Sequence, residues 1–296
     1  MRRGNYNLYQ TFEYFSPKWR GILGLVFWFL VGALLGSGVT LIVTKFMGAE
    51  AALEYGMLLS YPIMFIPPMV FAAVRSRRKE MEIGAVGSPL DVGNFAPLGG
   101  WLCAALVMVV TLAAGILSDY VTSIMPPMPE WLEEALKSLT SGTFWVNFIC
   151  VSIFAPIFEE WLCRGMVLRG LLDRGVKPVW AILFSAVFFG FIHMNIWQMV
   201  PAIILGLIFG YVYWKTRSLK LTMLMHFANN TFSLVMSNVE GFENAESWLD
   251  VLPGMRYWII FAACILLIIL IVRAFARIPL DRREGNLDPV PALFDE

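Results

Sequence analysis

The sequence has few charged side chains and no paired cysteines. Charged residues make up 15% of its 296 residues, whereas about 25% is typical of a soluble globular domain. Its 22 basic and 22 acidic residues balance, which argues against a nucleic-acid-binding protein. The four cysteines form no CxxC pair and lie in or beside apolar runs, so they indicate neither a disulfide framework nor a zinc knuckle; they are Cys103, Cys150, Cys163 and Cys264.

Long apolar runs dominate what is present. Hydrophobic residues make up 58% of the chain and the mean hydropathy is +0.69. A helix needs about 20 largely apolar residues to cross a bilayer. We therefore predict an all-α fold, a single polytopic transmembrane domain over residues 1–296 with about eight helices. The predicted spans are Ile22–Thr44, Met57–Val74, Leu98–Ser118, a run from near Thr143, one from Pro178 to about His193, Pro201–Trp214, Leu221–Val239 and Tyr257–Val272.

Prolines and short turns set several boundaries of these spans. Three prolines predict that the second span is kinked or broken; they are Pro62, Pro67 and Pro68. The run from Pro178 to Trp214 is too long for one crossing, so we divide it at the turn 194–200 and let Pro201 open the sixth helix. The pair Gly206 and Gly210, four residues apart, is typical of close helix packing.

The distribution of basic residues tests the helix count. If the N-terminus is cytoplasmic, all but three of the 22 Lys and Arg residues fall on the cytoplasmic side, Arg164 and Arg169 among them. The three exceptions are Lys45, Lys137 and Arg256. Because a missed helix would reverse every later loop, the positive-inside rule favours eight helices with both termini cytoplasmic. Short loops and the absence of appended domains suggest a bacterial cell membrane.

The segments outside the spans are short. Aromatic residues predict that residues 1–20 are an interfacial segment; they are Tyr6, Tyr9, Phe12, Tyr14, Phe15 and Trp19. Residues 129–139 are predicted to form a short amphipathic helix in an acidic outer loop. A second acidic outer loop contains Glu240, Glu243, Glu246 and Asp250, and residues 278–296 are predicted to be a cytoplasmic tail.

The fourth span carries an unusual set of ionisable residues. Glu159 and Glu160 are adjacent, and Arg164 follows one turn after Glu160. A charge at mid-membrane costs about 2.5–3.5 kcal/mol on insertion scales, so such residues are usually functional. The four-residue spacing predicts a Glu160–Arg164 pair on one helix face. Adjacent positions diverge by about 100°, so Glu159 is predicted to face elsewhere and to be the freer carboxylate, suited to act as a general base.

The two histidines of the chain lie in other spans. Phe189 and His193 are one turn apart in the fifth span. In the seventh, His226 and Asn230 are also one turn apart and could hold a developing oxyanion. The alternatives are purely structural: a salt-bridged helix end for the glutamates and Arg164, and polar contacts between helices for the histidines and Asn230. Together, these residues of the fourth, fifth and seventh helices supply what an activated water needs to attack an amide.

These motifs resemble those of the CAAX-protease and bacteriocin-processing family of intramembrane proteases, which includes the type II CAAX prenyl endopeptidase. The family motifs EExxxR, FxxxH and HxxxN are present as Glu159-Glu160 with Arg164, Phe189 with His193, and His226 with Asn230. They lie in a predicted core of residues 143–239. The resemblance implies that Glu159 and His193 activate a water, that His226 and Asn230 bind the scissile carbonyl oxygen, and that Glu160 and Arg164 brace the site.

The sequence leaves the cofactor open. There is no HExxH motif and no cysteine cluster. Glu159, His193 and His226 could nevertheless hold one divalent metal such as zinc with an open position for water. The alternative, which we favour, is direct activation of water by Glu159 with no metal.

The function predicted from these features is an intramembrane endopeptidase. Its expected partners are membrane lipid and a peptide or membrane-anchored protein substrate, with no nucleic acid. Two alternatives remain. One is an inactive membrane scaffold or bacteriocin-immunity factor of the same fold, and the other is a proton-coupled transporter that uses Glu159 and the histidines as a relay. The absence of a repeat between the two halves of the chain disfavours a transporter.

Overall fold

The chain is a bundle of α-helices, as predicted. The structure is a computed structural model that describes residues 8–139, 142–239 and 247–280. The predictions for Tyr6, Glu240, Glu243 and Glu246, and for the tail beyond residue 280, lie outside these residues. After a 3₁₀ turn at Leu8–Phe12, the described helices are α1 Trp19–Met47, α2 Ala49–Glu80, α3 Gly100–Ser123, α4 Glu130–Leu139, α5 Phe144–Asp173, α6 Pro178–Phe191, α7 Ile196–Thr216, α8 Leu219–Met236, α9 Trp248–Val251 and α10 Met255–Ala276.

Each of the eight predicted spans corresponds to one of these helices, and the prediction of a polytopic all-α membrane protein is confirmed. Six helices are long and apolar enough to cross a membrane: α1, α2, α3, α5, α7 and α10. The apolar helix α6 has 14 residues, so at 1.5 Å per residue it extends only about 21 Å. Helix α8 has 18 residues and is made more polar by His226, Asn229 and Asn230. The predicted amphipathic helix is observed as α4.

Helix α5 is the centre of the bundle. Within its most apolar window 56% of the residues are buried, against 17–39% in the other five long helices. Two stretches of α5 are wider π-helix, Phe148–Phe154 and Trp161–Leu168, and they flank an α-helical turn at Ala155–Glu160. Such π segments rotate the side chains that follow them and often mark functional sites. The Glu159-Glu160 pair therefore lies between two changes of helical pitch.

Of the two predictions made from prolines, one helix boundary was wrong. Helix α2 is continuous across Pro62, Pro67 and Pro68, so of the predicted kink or break the break does not occur. Helix α7 is not opened by Pro201, which lies inside it; Asn195 is its N-cap, and the Asn195 side chain accepts a hydrogen bond from the Gln198 backbone N–H. That bond satisfies an N–H that the start of a helix leaves unpaired, which is why an Asn can fix the boundary.

The predicted packing of α7 through small residues is confirmed. A Cβ atom on Gly206 would lie 3.0 Å from the Cα of Ala186, and one on Gly210 would lie 3.0 Å from the Ile182 side chain. Helices α6 and α7 therefore approach one another as closely as their backbones allow. This contact fixes the end of α6, where His193 follows, against the rest of the bundle.

Arg169 is a structural residue and not the loop charge that the positive-inside count assumed. It is fully buried in α5, and its guanidinium donates to the backbone carbonyls of Phe12 (3.0 Å), Ser88 (2.7 Å) and Gly165 (2.7 Å). Phe12 and Phe15 are themselves buried, 3% and 5% exposed, so the prediction that these two aromatic rings lie at the membrane interface was wrong. The N-terminal segment is packed against α5 because Arg169 supplies donors for its carbonyls.

Candidate active site

The central contact of the site joins α5 to α8. His226 Nδ1 lies 3.1 Å from Glu160 Oε1, and His226 Nε2 lies 3.9 Å from Glu159 Oε2. The prediction that Glu159 and Glu160 cannot face one cavity was therefore wrong, since both carboxylates flank the same imidazole. The reason is that His226 approaches α5 from a neighbouring helix, between the directions of the two side chains. All three residues are buried: Glu159 is 9% exposed, Glu160 0% and His226 5%.

The predicted Glu160–Arg164 pair is confirmed. Arg164 Nη1 donates to Glu160 Oε1 at 2.7 Å, and both side chains are fully buried. Arg164 Nη2 donates to the Gly206 carbonyl of α7 at 3.2 Å. The guanidinium also lies over two rings, 4.5 Å from the Phe189 centroid and 5.2 Å from that of Phe209. Breaking such a buried pair by removing one partner costs several kcal/mol, so Arg164 fixes the position of Glu160.

Tyr61 of α2 is a site residue that sequence reasoning missed. Its hydroxyl donates to Glu159 Oε1, and its ring packs against Phe65 and Phe158, at centroid distances of 5.5 and 6.5 Å. The sequence signal that could have indicated Tyr61 is a phenol hydroxyl within a largely apolar span. Since Tyr61 occupies Oε1, the other oxygen of Glu159 remains for chemistry. That Oε2 atom is buried and has no hydrogen-bond partner among the described residues.

His193 is beside this group but is not hydrogen-bonded to it. It lies in the turn just after α6 rather than within a helix, and its Nδ1 is 2.9 Å from the Phe189 carbonyl. A carbonyl only accepts hydrogen bonds, so Nδ1 carries the proton and Nε2 of the neutral imidazole is an acceptor. The Phe189 ring packs edge-on against both histidines, with centroid distances of 5.3 Å to His193 and 5.5 Å to His226.

Asn230 is placed one turn after His226, but its amide already has partners. Asn230 Nδ2 donates to the Val151 carbonyl of α5 at 2.9 Å, and its Oδ1 accepts from Asn229 Nδ2 at 3.1 Å. The Val151 carbonyl lies in the first π segment of α5. The amide therefore joins α8 to α5. One of the two hydrogens on Nδ2 is sufficient for the bond to Val151, which leaves the second for another acceptor.

The side chains do not fit the predicted metal ligand set. Within residues 8–139, 142–239 and 247–280, no group of three His, Cys, Asp or Glu side chains is arranged to hold a metal ion. Glu159 and His226 are close, whereas the described contacts of His193 are to the carbonyl and the ring of Phe189. The alternative trio with Glu160 is occupied by the buried contact with Arg164. We therefore derive no chemical step through a metal.

The comparisons with known proteins concern this segment of the chain. Residues 141–232 match the family model described as "Type II CAAX prenyl endopeptidase Rce1-like". The chain is 28% identical over 88 residues to "Putative membrane peptidase YdiL" of Bacillus subtilis (strain 168), which covers 30% of this chain and 36% of that protein. The match thus spans about a third of that relative's length. No solved structure matches the chain. The resemblance inferred from the three motifs is confirmed, and the segment that contains the site is similar to the type II CAAX prenyl endopeptidase family.

Proposed function

We propose that this multi-pass membrane protein is an intramembrane endopeptidase. One observation carries the proposal: Glu159, Glu160, Arg164 and His226 form one buried cluster inside the segment that matches the type II CAAX prenyl endopeptidase family. The name of the matching B. subtilis protein, "Putative membrane peptidase YdiL", agrees with this reaction class. The proposed substrate is a peptide or a membrane-anchored protein, cut near the membrane surface.

Charge balance supports distinct roles for the buried groups. With both carboxylates and the guanidinium ionised, Glu159, Glu160 and Arg164 carry one net negative charge. A proton on His226 would make the cluster neutral, and burial favours neutral clusters. In this proposal Nδ1–H of that imidazolium donates to Glu160, and Nε2 lies 3.9 Å from Glu159 Oε2. Glu160 is a positioning residue, which orients the His226 ring.

The reaction then follows from the two atoms that lie 3.9 Å apart. A water held by Glu159 Oε2 attacks the scissile carbonyl carbon and gives its proton to that carboxylate. The C–O bond forms as the carbonyl electron pair moves to oxygen, where Nε2–H of His226 and the second Nδ2 hydrogen of Asn230 donate to the negative charge. When the carbonyl re-forms, the C–N bond breaks and Glu159 returns the proton to the leaving amine.

His193 is proposed to assist at the edge of this site. Its acceptor nitrogen, Nε2, is the one not engaged by the Phe189 carbonyl, and the side chain is only partly buried. It is therefore placed to orient the incoming water or the substrate rather than to brace the helices. The family resemblance, which pairs His193 with Glu159, supports the same role.

The test compares membrane peptides by mass spectrometry in cells that make the parent chain or the Glu159→Gln variant. Peptide ends produced only by the parent would identify the bond that is cut. Glu133→Gln, which changes an exposed glutamate of α4, is the matched control and should behave as the parent. Identical peptide ends with parent and Glu159→Gln would reject the proposed reaction.

A further inference from the structure

A cavity adjoins the site along α8. It has a volume of about 440 Å³ and lies among α3, α7, α8 and α9. Seven of its sixteen lining residues have hydroxyl, amide or carboxyl side chains, which is more polar than a space for acyl chains requires. Its size is within the range of small-ligand sites, about 300–1,000 Å³. None of the seven residues named in the family motifs lines it.

Among the described residues, Asp119 is the only charged one that lines this cavity. One of its oxygens, Oδ2, accepts a hydrogen bond from the Trp248 backbone N–H at 3.0 Å. The charged side chain that acts on Asp119 within the described part of the chain is a second carboxylate, Asp250. A carboxylate in a partly apolar cavity beside another carboxylate favours a cationic ligand.

The cavity and the proposed site are connected through a chain of amides. Asn229, which lines the cavity, donates to Asn230, and Asn230 donates to the Val151 carbonyl of α5. The Asn229 Oδ1 atom is directed at Gly115 of α3, where a Cβ atom would lie 3.8 Å away. Leu205 also lines the cavity, and the next residue, Gly206, accepts from Arg164. The cavity therefore adjoins the site along both α7 and α8, where neighbouring residues face one or the other.

We propose that the Asp119 cavity binds a primary amine of a peptide, either a lysine side chain or a free amino terminus, and so selects substrates with such a group near the bond that is cut. Asp119 would pair with the ammonium group. Asn229 and the hydroxyl groups of Ser118 and Ser233 lie along the same cavity to accept from or donate to the chain. This inference extends the proposed endopeptidase function and rests on it for its biological meaning.

Binding can be measured without any cleavage. The full-length protein in detergent micelles is titrated with dansylcadaverine, which joins a primary amine to a fluorophore, and anisotropy is corrected for empty micelles. We expect saturable binding that Asp119→Asn weakens at least about tenfold, as for loss of a charged hydrogen-bond partner. Glu133→Gln, which changes an exposed glutamate of α4 that does not line the cavity, should leave binding unchanged. Binding by Asp119→Asn as strong as by the parent would overturn the proposal, as would no saturable binding by the parent.

Two further experiments test whether the probe binds in this cavity and whether a peptide amine is its ligand. Gly115→Leu fills the cavity without altering Asp119 and should weaken binding as well, so the result does not depend on one variant that folds poorly. A lysine-containing tripeptide amide should displace the probe, and its norleucine analogue should not. Displacement by phosphatidylethanolamine but not by the lysine peptide would assign the cavity to a lipid headgroup and overturn the peptide assignment.

Cleavage separates this inference from the proposed function. With a synthetic peptide library, products of the parent should carry Lys or a free amino terminus at a fixed distance from the cut, and Asp119→Asn should still cut but lose that preference. Loss of the preference supports the inference, and its retention contradicts it. If the parent cuts no peptide, the proposed function fails, while amine binding that depends on Asp119 and persists in Glu159→Gln still establishes the site.

Discussion

His226 and Glu160 are 66 residues apart in the sequence, yet His226 Nδ1 lies 3.1 Å from Glu160 Oε1 in the buried centre of the bundle. The same carboxylate oxygen accepts from Arg164 at 2.7 Å. A guanidinium and an imidazole thus converge on one oxygen. This arrangement fixes the imidazole between two adjacent carboxylates.

Substitution of the two adjacent glutamates should separate their roles. Glu159→Gln removes the proposed base and should lower the rate of peptide cleavage by at least about 100-fold, the lower end for general-base catalysis. The expected change in apparent unfolding temperature is small, because glutamine can still accept from Tyr61. Cleavage rate and thermal unfolding in detergent are measured together. A Glu159→Gln protein that cuts at the parent rate would show that the base is elsewhere.

Replacing Arg164 alone should destabilise the fold more than replacing Arg164 and Glu160 together. Arg164→Met leaves Glu160 buried beside His226 without its guanidinium, which costs about 3–5 kcal/mol, so the apparent unfolding temperature should fall sharply. The double variant Glu160→Gln/Arg164→Met removes the uncompensated charge and should recover part of this loss. Thermal unfolding of the four proteins of this cycle measures the coupling. Strictly additive effects would contradict a direct pair.

Tyr61→Phe tests the residue that the sequence did not indicate. It removes only the hydroxyl that donates to Glu159 and keeps the ring packed against Phe65 and Phe158. A hydrogen bond to a charged group contributes about 1.5–3 kcal/mol, so kcat should fall about tenfold or more. KM should change little, since Tyr61 positions the base and is not expected to contact substrate. Tyr55→Phe, at an exposed position of α2, should behave as the parent.

Close packing of α6 on α7 should be sensitive to a single methyl group. A Cβ atom on Gly190 would lie 2.7 Å from the Ile203 side chain and 2.8 Å from the Met199 carbonyl. Gly190→Ala should therefore cost about 1–3 kcal/mol through overpacking and displace the turn that carries His193. Gly38→Ala, where nothing lies within 4 Å, is the matched control and should not lower the unfolding temperature. Thermal unfolding and cleavage rate measured for both variants would show whether the two losses coincide.

Metal dependence can be tested directly. Because no three His, Cys, Asp or Glu side chains of the described residues are arranged to hold a metal ion, we expect cleavage to continue after dialysis against a chelator. The purified protein is analysed for bound metal before and after dialysis, and its rate is measured each time. A rate that is lost with the metal and restored by zinc would contradict direct activation of water by Glu159.

The sequence by itself determined the helical membrane fold, the family resemblance of the central segment and the Glu160–Arg164 pair. These depend on local physics: the length of an apolar run, the excess of basic residues in loops, and the four-residue spacing along a helix. The same local reasoning failed where a residue from elsewhere in the chain intervened. It assigned Phe12, Phe15 and Arg169 to the membrane interface or a loop. The contacts that bury them join residues more than 150 positions apart in the sequence, and local patterns do not report such contacts.

Only the tertiary structure decided which groups meet. Spacing along α5 suggested that Glu159 and Glu160 point apart, but His226 approaches from α8 and contacts both. Tyr61 reaches Glu159 from α2, and the Phe189 ring packs against both His193 and His226. Helical periodicity gives the direction of a side chain relative to its own axis only. The position of one axis relative to another depends on how the helices pack, and it was this packing that set the distances within the site.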